Sequence, residues 1–291
     1  MTATGSIYLQ LQKVARDRKR PADEIFTLYG LERFLARLTA TAYADDFCLK
    51  GGVLLSAHAL RRPTRDIDMQ ALDFQLDVDH LNKVVKAVCD VVVDDGLVFD
   101  LASMQIEQIR DEDEYSGLRV SLPGLLGRAK ITIKLDISTG DPIWPEPEQI
   151  ALPSLLGGSV KMQGHPLVTV IAEKTVTMLQ RGTTSTRWRD LLDVAVLSDR
   201  FEFSAWDLRQ AAARVAAHRG AELEPLRALM AGYGAIGQAK WAAWRRKLKV
   251  EDLCEQDLDA QVERVLIFME PVFDGTAEDH HRWNPNARIW S

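Results

Sequence analysis

Apolar residues recur at helical spacing along residues 24–43, where Ile25, Leu28, Leu31, Phe34, Leu35 and Leu38 share one face. The period then changes. Residues 47–50 read as a short strand that runs into Gly51-Gly52, and residues 53–60 return to a helical pattern. Residues 66–71 alternate as a strand, 78–93 are helical, and 104–110, 118–122 and 129–138 read as further strands. Between Asp141 and Glu148 the proline-rich run breaks both periods and predicts a long loop. Beyond it the pattern is almost wholly helical, over 168–181, 187–197, 205–217, 238–247 and 253–268. An α+β fold follows. A core domain with a mixed β-sheet, flanking helices and N-terminal helices is expected over residues 1–160, and a helical domain over 161–291.

Composition narrows the class. The 291 residues are 46% hydrophobic and 27% charged, ordinary globular values that exclude disordered and collagen-like chains. Cys48, Cys89 and Cys254 are odd in number and scattered, which argues against a disulfide framework or a zinc site and points to a reducing cytoplasm. The start of the chain lacks the apolar core of a secretion signal. No apolar stretch approaches the roughly 18 residues of a membrane span, so no membrane partner is expected. The net charge of −6 rules out a general polycation, but nine Lys/Arg against two acids between positions 209 and 249 make that window basic. Such a local excess points to an acidic partner.

The most informative segment runs from Lys50-Gly51-Gly52 to Arg65-Asp66-Ile67-Asp68. A glycine pair between strand and helix lets a backbone approach phosphate, and the helix start offers unpaired N–H groups. On the following strand Asp66 and Asp68 project to one face, while Ile67 and Met69 take the other. Two crowded carboxylates call for a cation, and an oxygen-only donor set suits Mg²⁺. In Ile131–Asp136 the apolar residues alternate with Thr132, Lys134 and Asp136, so Asp136 is a candidate third carboxylate. Each feature alone has a plainer reading: a DxD or a glycine pair is usually a turn. Glu173-Lys174 reads equally as a solvated helix pair, and Arg187/Asp190 as an i,i+3 ion pair.

Taken together, strand, Gly-Gly, helix, DxD strand and a distant carboxylate resemble the nucleotidyltransferase fold of the DNA polymerase β superfamily. Val53 stands where that superfamily usually has a hydroxyl, for which Ser56 and Thr64 are the candidate replacements. With Glu173-Lys174 followed by Arg181, and Arg187-Trp188-Arg189-Asp190-Leu191-Leu192-Asp193, the motifs from Lys50 to Asp193 resemble those of the AbiEii/AbiGii-type nucleotidyltransferase toxins, the MenT-type toxins among them. In place of the commoner RxKDLYD, the last motif carries Arg189 and Leu192.

The resemblance implies a magnesium- (or manganese-) dependent transfer of a nucleotide from an NTP, with Asp66, Asp68, Lys174 and Asp190 as catalytic residues. Asp66 and Asp68, with Asp136 as a further candidate, would hold the metal. Lys50, Gly51, Gly52, Thr64, Arg65 and Lys174 would bind nucleotide phosphates, and Thr64 is also a candidate for regulatory phosphorylation. The expected partners are RNA, above all the tRNA acceptor end, and a cognate antitoxin of a type IV-like abortive-infection system. Arg245, Arg246, Lys247 and Trp244 are candidate RNA contacts, because cations interleaved with indoles can bind phosphate and stack on bases. Trp241 and Trp244 read equally as one apolar helix face. Two other functions fit the same residues: transfer to a protein hydroxyl or a small molecule such as an aminoglycoside, and a non-catalytic module that holds nucleotide or a partner.

Overall fold

The computed structural model describes residues 3–58, 60, 64–110 and 116–291. The chain forms two compact units, Met1–Gly140 with Glu148–His165, and Asp141–Pro147 with Pro166–Ser291. The proline-rich loop therefore belongs with the second unit. Among the described residues no helix is long and apolar enough to cross a membrane.

The first unit opens with α1 (Ala3–Asp17) and α2 (Ala22–Leu38). Strand β1 (Phe47–Lys50) leads into α3 (Gly51–Leu55), a 3₁₀ turn at Ser56–His58, and β2 (Ile67–Ala71). Helix α4 (Val78–Asp90) is followed by β3 (Leu97–Phe99), β4 (Gln105–Arg110), β5 (Ser116–Leu126) and β6 (Ala129–Ser138). The hairpin β7 (Glu148–Pro153) and β8 (Ser159–Gly164) completes the sheet. Its order is β3-β5-β6-β2-β1-β8-β7, with β4 also paired to β5. The β2–β6 and β1–β8 pairs are parallel and the others antiparallel, so the sheet is mixed.

Alternation on the central strands separates two faces. Leu49, Met69, Ile137 and Leu118 stand in one row across β1, β2, β6 and β5, and all four are buried. Ile67, Leu135 and Val120 form the next row of the same core, and α2 packs against β6. The opposite face carries Lys50, Asp68, Asp136 and Arg119.

The second unit holds α5 (Leu167–Arg181), α6 (Trp188–Ser198), α7 (Ala205–His218), α8 (Leu226–Leu229), α9 (Tyr233–Leu248) and α10 (Leu258–Phe273). A three-stranded sheet, in the order β11-β10-β9, joins β9 (Phe203–Ser204), β10 (Arg282–Asn284) and β11 (Ile289–Trp290). Within this unit Arg219 forks onto the Asp141 carboxylate at 2.8 and 2.5 Å, and the Arg214 guanidinium lies 4.0 Å from the Trp144 ring centroid.

Several expected boundaries move for local reasons. The helix over 24–43 stops at Leu38, where the Thr39 and Thr41 hydroxyls donate to the carbonyls of Ala36 and Leu38. The helix expected from residue 53 begins at Gly51 and tightens into a 3₁₀ turn after Leu55. Ala59 of that expected helix, and Pro63 of the expected Pro63-Thr64 turn, lie outside the described residues. The hairpin β7–β8 and the small sheet of the second unit were not anticipated. The first carries a readable signal, Ile150 and Leu152 against Val160 and Met162 across Gly157-Gly158, whereas strands of two or three residues are too short to show a period.

Candidate functional site

The register of the sheet sets a row of four charged residues on its polar face. Lys50 on β1 pairs with Asp68 on β2, Asp68 with Asp136 on β6, and Asp136 with Arg119 on β5. Directly paired residues share a face, so the row reads plus, minus, minus, plus. Asp66 lies two residues before Asp68, just ahead of β2. Arg119, which sequence reasoning missed, closes the row. Its Nε and Nη2 donate to the two oxygens of Asp136 at 2.7 and 2.6 Å. The hydrogen bond to Asp136 raises the guanidinium pKa above its ordinary value. Partial burial opposes this, and the charges of Asp136, Asp66 and Asp68 add to it. A cation is thus already drawn to the three carboxylates. Alternation on β5 marked Arg119 as facing away from Leu118 and Val120, but only the strand register shows that Asp136 is its partner.

Gly51 is required on two counts. Its φ is +68°, a conformation L-residues adopt at a cost. A Cβ placed there would lie 1.9 Å from Asp68 Oδ2. The backbone that opens α3 therefore rests against the Asp68 carboxylate, and only a residue without a side chain permits that approach. Thr64 is buried, and its hydroxyl donates to the Asp66 Oδ1 at 3.1 Å. Arg65 is exposed, and Gly52 is buried. The Ser56 hydroxyl donates to the Val53 carbonyl at 2.7 Å, which ties it to the helix and leaves Thr64 as the hydroxyl at the carboxylates.

Asp66 and Asp68 fit a hard divalent cation. Both offer carboxylate oxygens, the hard donors such an ion takes, and the charges of both reach Arg119. Asp136 stands beside Asp68 in register, but both its oxygens are taken by Arg119. Among the described residues the donor oxygens of Asp66, Asp68 and Asp136 do not gather into one three-ligand cluster.

In the second unit the two helical motifs meet. Lys174 on α5 donates to Asp190 at 2.6 Å and lies 2.9 Å from Asp193, both on α6. The second Asp190 oxygen lies 3.0 Å from Arg187 Nε. The carboxylates are almost wholly buried, at 9% and 3% side-chain exposure, and Lys174 is at 13%, so this is an interior ion cluster rather than a solvated surface pair. Arg189 is exposed, and Arg181 ends α5.

The basic window is less concentrated in space than in sequence. Arg209 pairs with Asp279, Arg219 with Asp141 and Arg227 with Glu263, while Arg214 covers Trp144. Arg245, expected at the surface, is buried, and donates to Cys254 and to the carbonyl of Glu251. Trp241 is fully buried with its indole N–H on the Glu255 carbonyl, and Trp244 stacks on it, half-buried, at 5.2 Å. Lys240, Arg246, Lys247 and Lys249 remain exposed.

A mixed sheet with strand, Gly-Gly turn, helix and DxD strand defines a nucleotidyltransferase-type α/β protein. Residues 33–264, well over half of the chain, match the family described as nucleotidyl transferase AbiEii toxin, of the type IV toxin–antitoxin system. The chain belongs to that family, and with it to the nucleotidyltransferase toxins. Two solved structures from Helicobacter pylori are similar. JHP933 is 18% identical with a TM-score of 0.48, over 86% of this chain and 92% of its own. The other, described only as a candidate nucleotidyltransferase, is 18% identical with a TM-score of 0.46, over 84% and 93%. No curated protein matches the chain.

Proposed function

We propose that this protein is a cytoplasmic toxin that transfers a nucleoside monophosphate from an NTP to an RNA acceptor, the 3′ acceptor end of tRNA, and so blocks translation and growth. A cognate antitoxin would restrain it. The observation that carries the reading is the charged row with Gly51 set against Asp68, on a chain of this family.

In the proposed reaction the acceptor hydroxyl oxygen bonds to the α-phosphorus, and the bond from that phosphorus to the bridging oxygen breaks, releasing pyrophosphate. Asp66 and Asp68 would hold Mg²⁺ or Mn²⁺, which would offset triphosphate charge and favour the ionised acceptor oxygen. Lys50, Gly51, Gly52, Thr64 and Arg65 are proposed to bind the phosphates, with backbone N–H groups at the start of α3 contributing. Lys174 is proposed to bind phosphate through its ammonium, oriented by Asp190 and Asp193. One carboxylate, Asp190 or Asp136, is proposed to accept the hydroxyl proton. Exposed Lys240, Arg246 and Lys247 on α9 support an RNA acceptor, since such cations contact phosphate without regard to sequence.

The test is the state of RNA 3′ ends in cells that express the protein. Wild type should add nucleotides to tRNA 3′ ends, and Asp68→Asn should not. Growth arrest with unextended RNA would sink the RNA reading and direct attention to a protein or small-molecule acceptor.

A further inference from the structure

The loop between α10 and β10 brings together three side chains that the family match, ending at residue 264, does not reach. One donor atom from each of Glu278, His280 and His281 lies within 4.8 Å of the others. Among the described residues this is the one such group of three His, Cys, Asp or Glu donors. His280 Nδ1 stands 3.5 Å from a Glu278 oxygen, and the two imidazole rings meet edge to face with centroids 4.6 Å apart.

The turn that carries them is built. The His281 backbone N–H donates to the Glu278 carbonyl, and the Glu278 N–H donates back to His281 Nδ1 at 3.2 Å. That second bond takes the Nδ1 lone pair and puts the neutral ring's proton on Nε2, so a cation at this ring would displace either the Glu278 N–H from Nδ1 or the proton from Nε2. Arg209 on α7 grips the loop from the other side, at the carbonyls of Val272 and Ala277 and at the Asp279 carboxylate. The Ala205 N–H holds the His281 carbonyl where β10 begins. Asp279, the remaining acid of the turn, is thus committed to Arg209, and the three donors stand on a backbone already fixed from both ends.

We propose that Glu278, His280 and His281 form a binding site for a borderline divalent transition-metal ion, of which zinc is the representative. Two imidazoles and one carboxylate make an N,N,O donor set that suits zinc, nickel or copper and does not suit magnesium, which takes oxygen. Around zinc, nitrogen and oxygen ligands at about 2.0–2.2 Å would stand about 3.4 Å apart in tetrahedral geometry. The observed spread of 4.8 Å is wider than that, and rotation of the exposed Glu278 and His280 side chains would have to close it. Three protein ligands leave a position for water. The site is chemically separate from the oxygen-only pair Asp66 and Asp68, so the two can be filled independently. A bound ion would tie the start of β10 to the turn before it and stiffen the closing segment of the second unit.

The experiment titrates the full-length protein with zinc by calorimetry, in millimolar Mg²⁺ to keep hard oxygen sites occupied, and follows thermal unfolding in parallel. Wild type should bind one zinc ion, and zinc should raise its unfolding temperature. His280→Ala should weaken that binding at least about 10-fold, a loss found even for groups that only support a ligand, and should abolish the thermal shift. Because His281 also holds the turn, His280→Ala is the primary variant, and Glu278→Gln, which keeps the backbone N–H bond, is the second. Zinc binding of equal affinity and stoichiometry in both variants would overturn the site, as would no binding by wild type.

Discussion

Replacing Gly51 by alanine sets a methyl group where Asp68 now stands. The built Cβ lies 1.9 Å from Oδ2 and 2.6 Å from the carboxyl carbon, so the carboxylate has to retreat by more than about 1 Å to reach ordinary contact. Two costs follow, and they can be separated. The first is backbone strain, since an L-residue at φ +68° is disfavoured by about 1–2 kcal/mol. The second is displacement of a proposed catalytic carboxylate, where misplacement of about 1 Å costs about 100-fold in rate. Gly158 supplies the control. It has φ +77° in the same unit, and nothing lies within 4 Å of its built Cβ. Gly158→Ala should therefore lose about 1–2 kcal/mol in urea unfolding and keep its nucleotide-transfer rate. Gly51→Ala should lose similar stability and about 100-fold in transfer. If Gly51→Ala transferred nucleotide at the Gly158→Ala rate, the position of Asp68 against the glycine turn would have no part in catalysis.

Three further outcomes follow from the same geometry. Lys174→Ala leaves Asp190 and Asp193 buried without their shared cation, so it should cost about 3 kcal/mol of stability as well as transfer activity; wild-type urea unfolding would contradict the interior cluster. Trp241→Ala should destabilise by about 3–5 kcal/mol as a core indole, whereas Arg246→Ala with Lys247→Ala should leave unfolding unchanged and weaken tRNA binding with a flatter salt dependence; unaltered tRNA binding would remove α9 from the acceptor surface. Thr64→Glu should be inactive in transfer, because it sets a carboxylate against Asp66, as phosphorylation would; full activity would place this hydroxyl outside the nucleotide pocket.

The parts of the site that depend on one strand were legible in the sequence. Period-two alternation put Ile67 and Met69 in the core and Asp68 and Asp136 on the polar side of β2 and β6, whereas Asp66, expected on the same strand, lies just ahead of it. What depends on register was not legible. That Arg119 faces Asp136, and that Lys50 faces Asp68, is decided by how strands pair across the sheet, and a shift of one residue would reverse both. The basic window misled for a related reason. Positions 209, 219 and 227 are cations in sequence, but each meets a carboxylate 36 to 78 residues away, and Arg245 folds inward onto Cys254 and Glu251. Spacing three apart fitted both a stacking surface and a core face for the two indoles, and burial decides for the core at Trp241. The histidines at 280 and 281 found their partner only through a turn that reverses the chain onto Glu278.

If the carboxylate row serves nucleotide transfer to RNA, transfer itself is the most direct measurement. Wild-type protein and Asp68→Asn are incubated with purified tRNA, Mg²⁺ and each α-labelled NTP in turn, and the label is followed on the RNA. Wild type should join label from at least one NTP to the tRNA 3′ end with release of pyrophosphate, and Asp68→Asn should leave the RNA unlabelled while folding normally. Label transferred equally by Asp68→Asn, or no transfer to tRNA from any NTP by the wild type, would contradict the account.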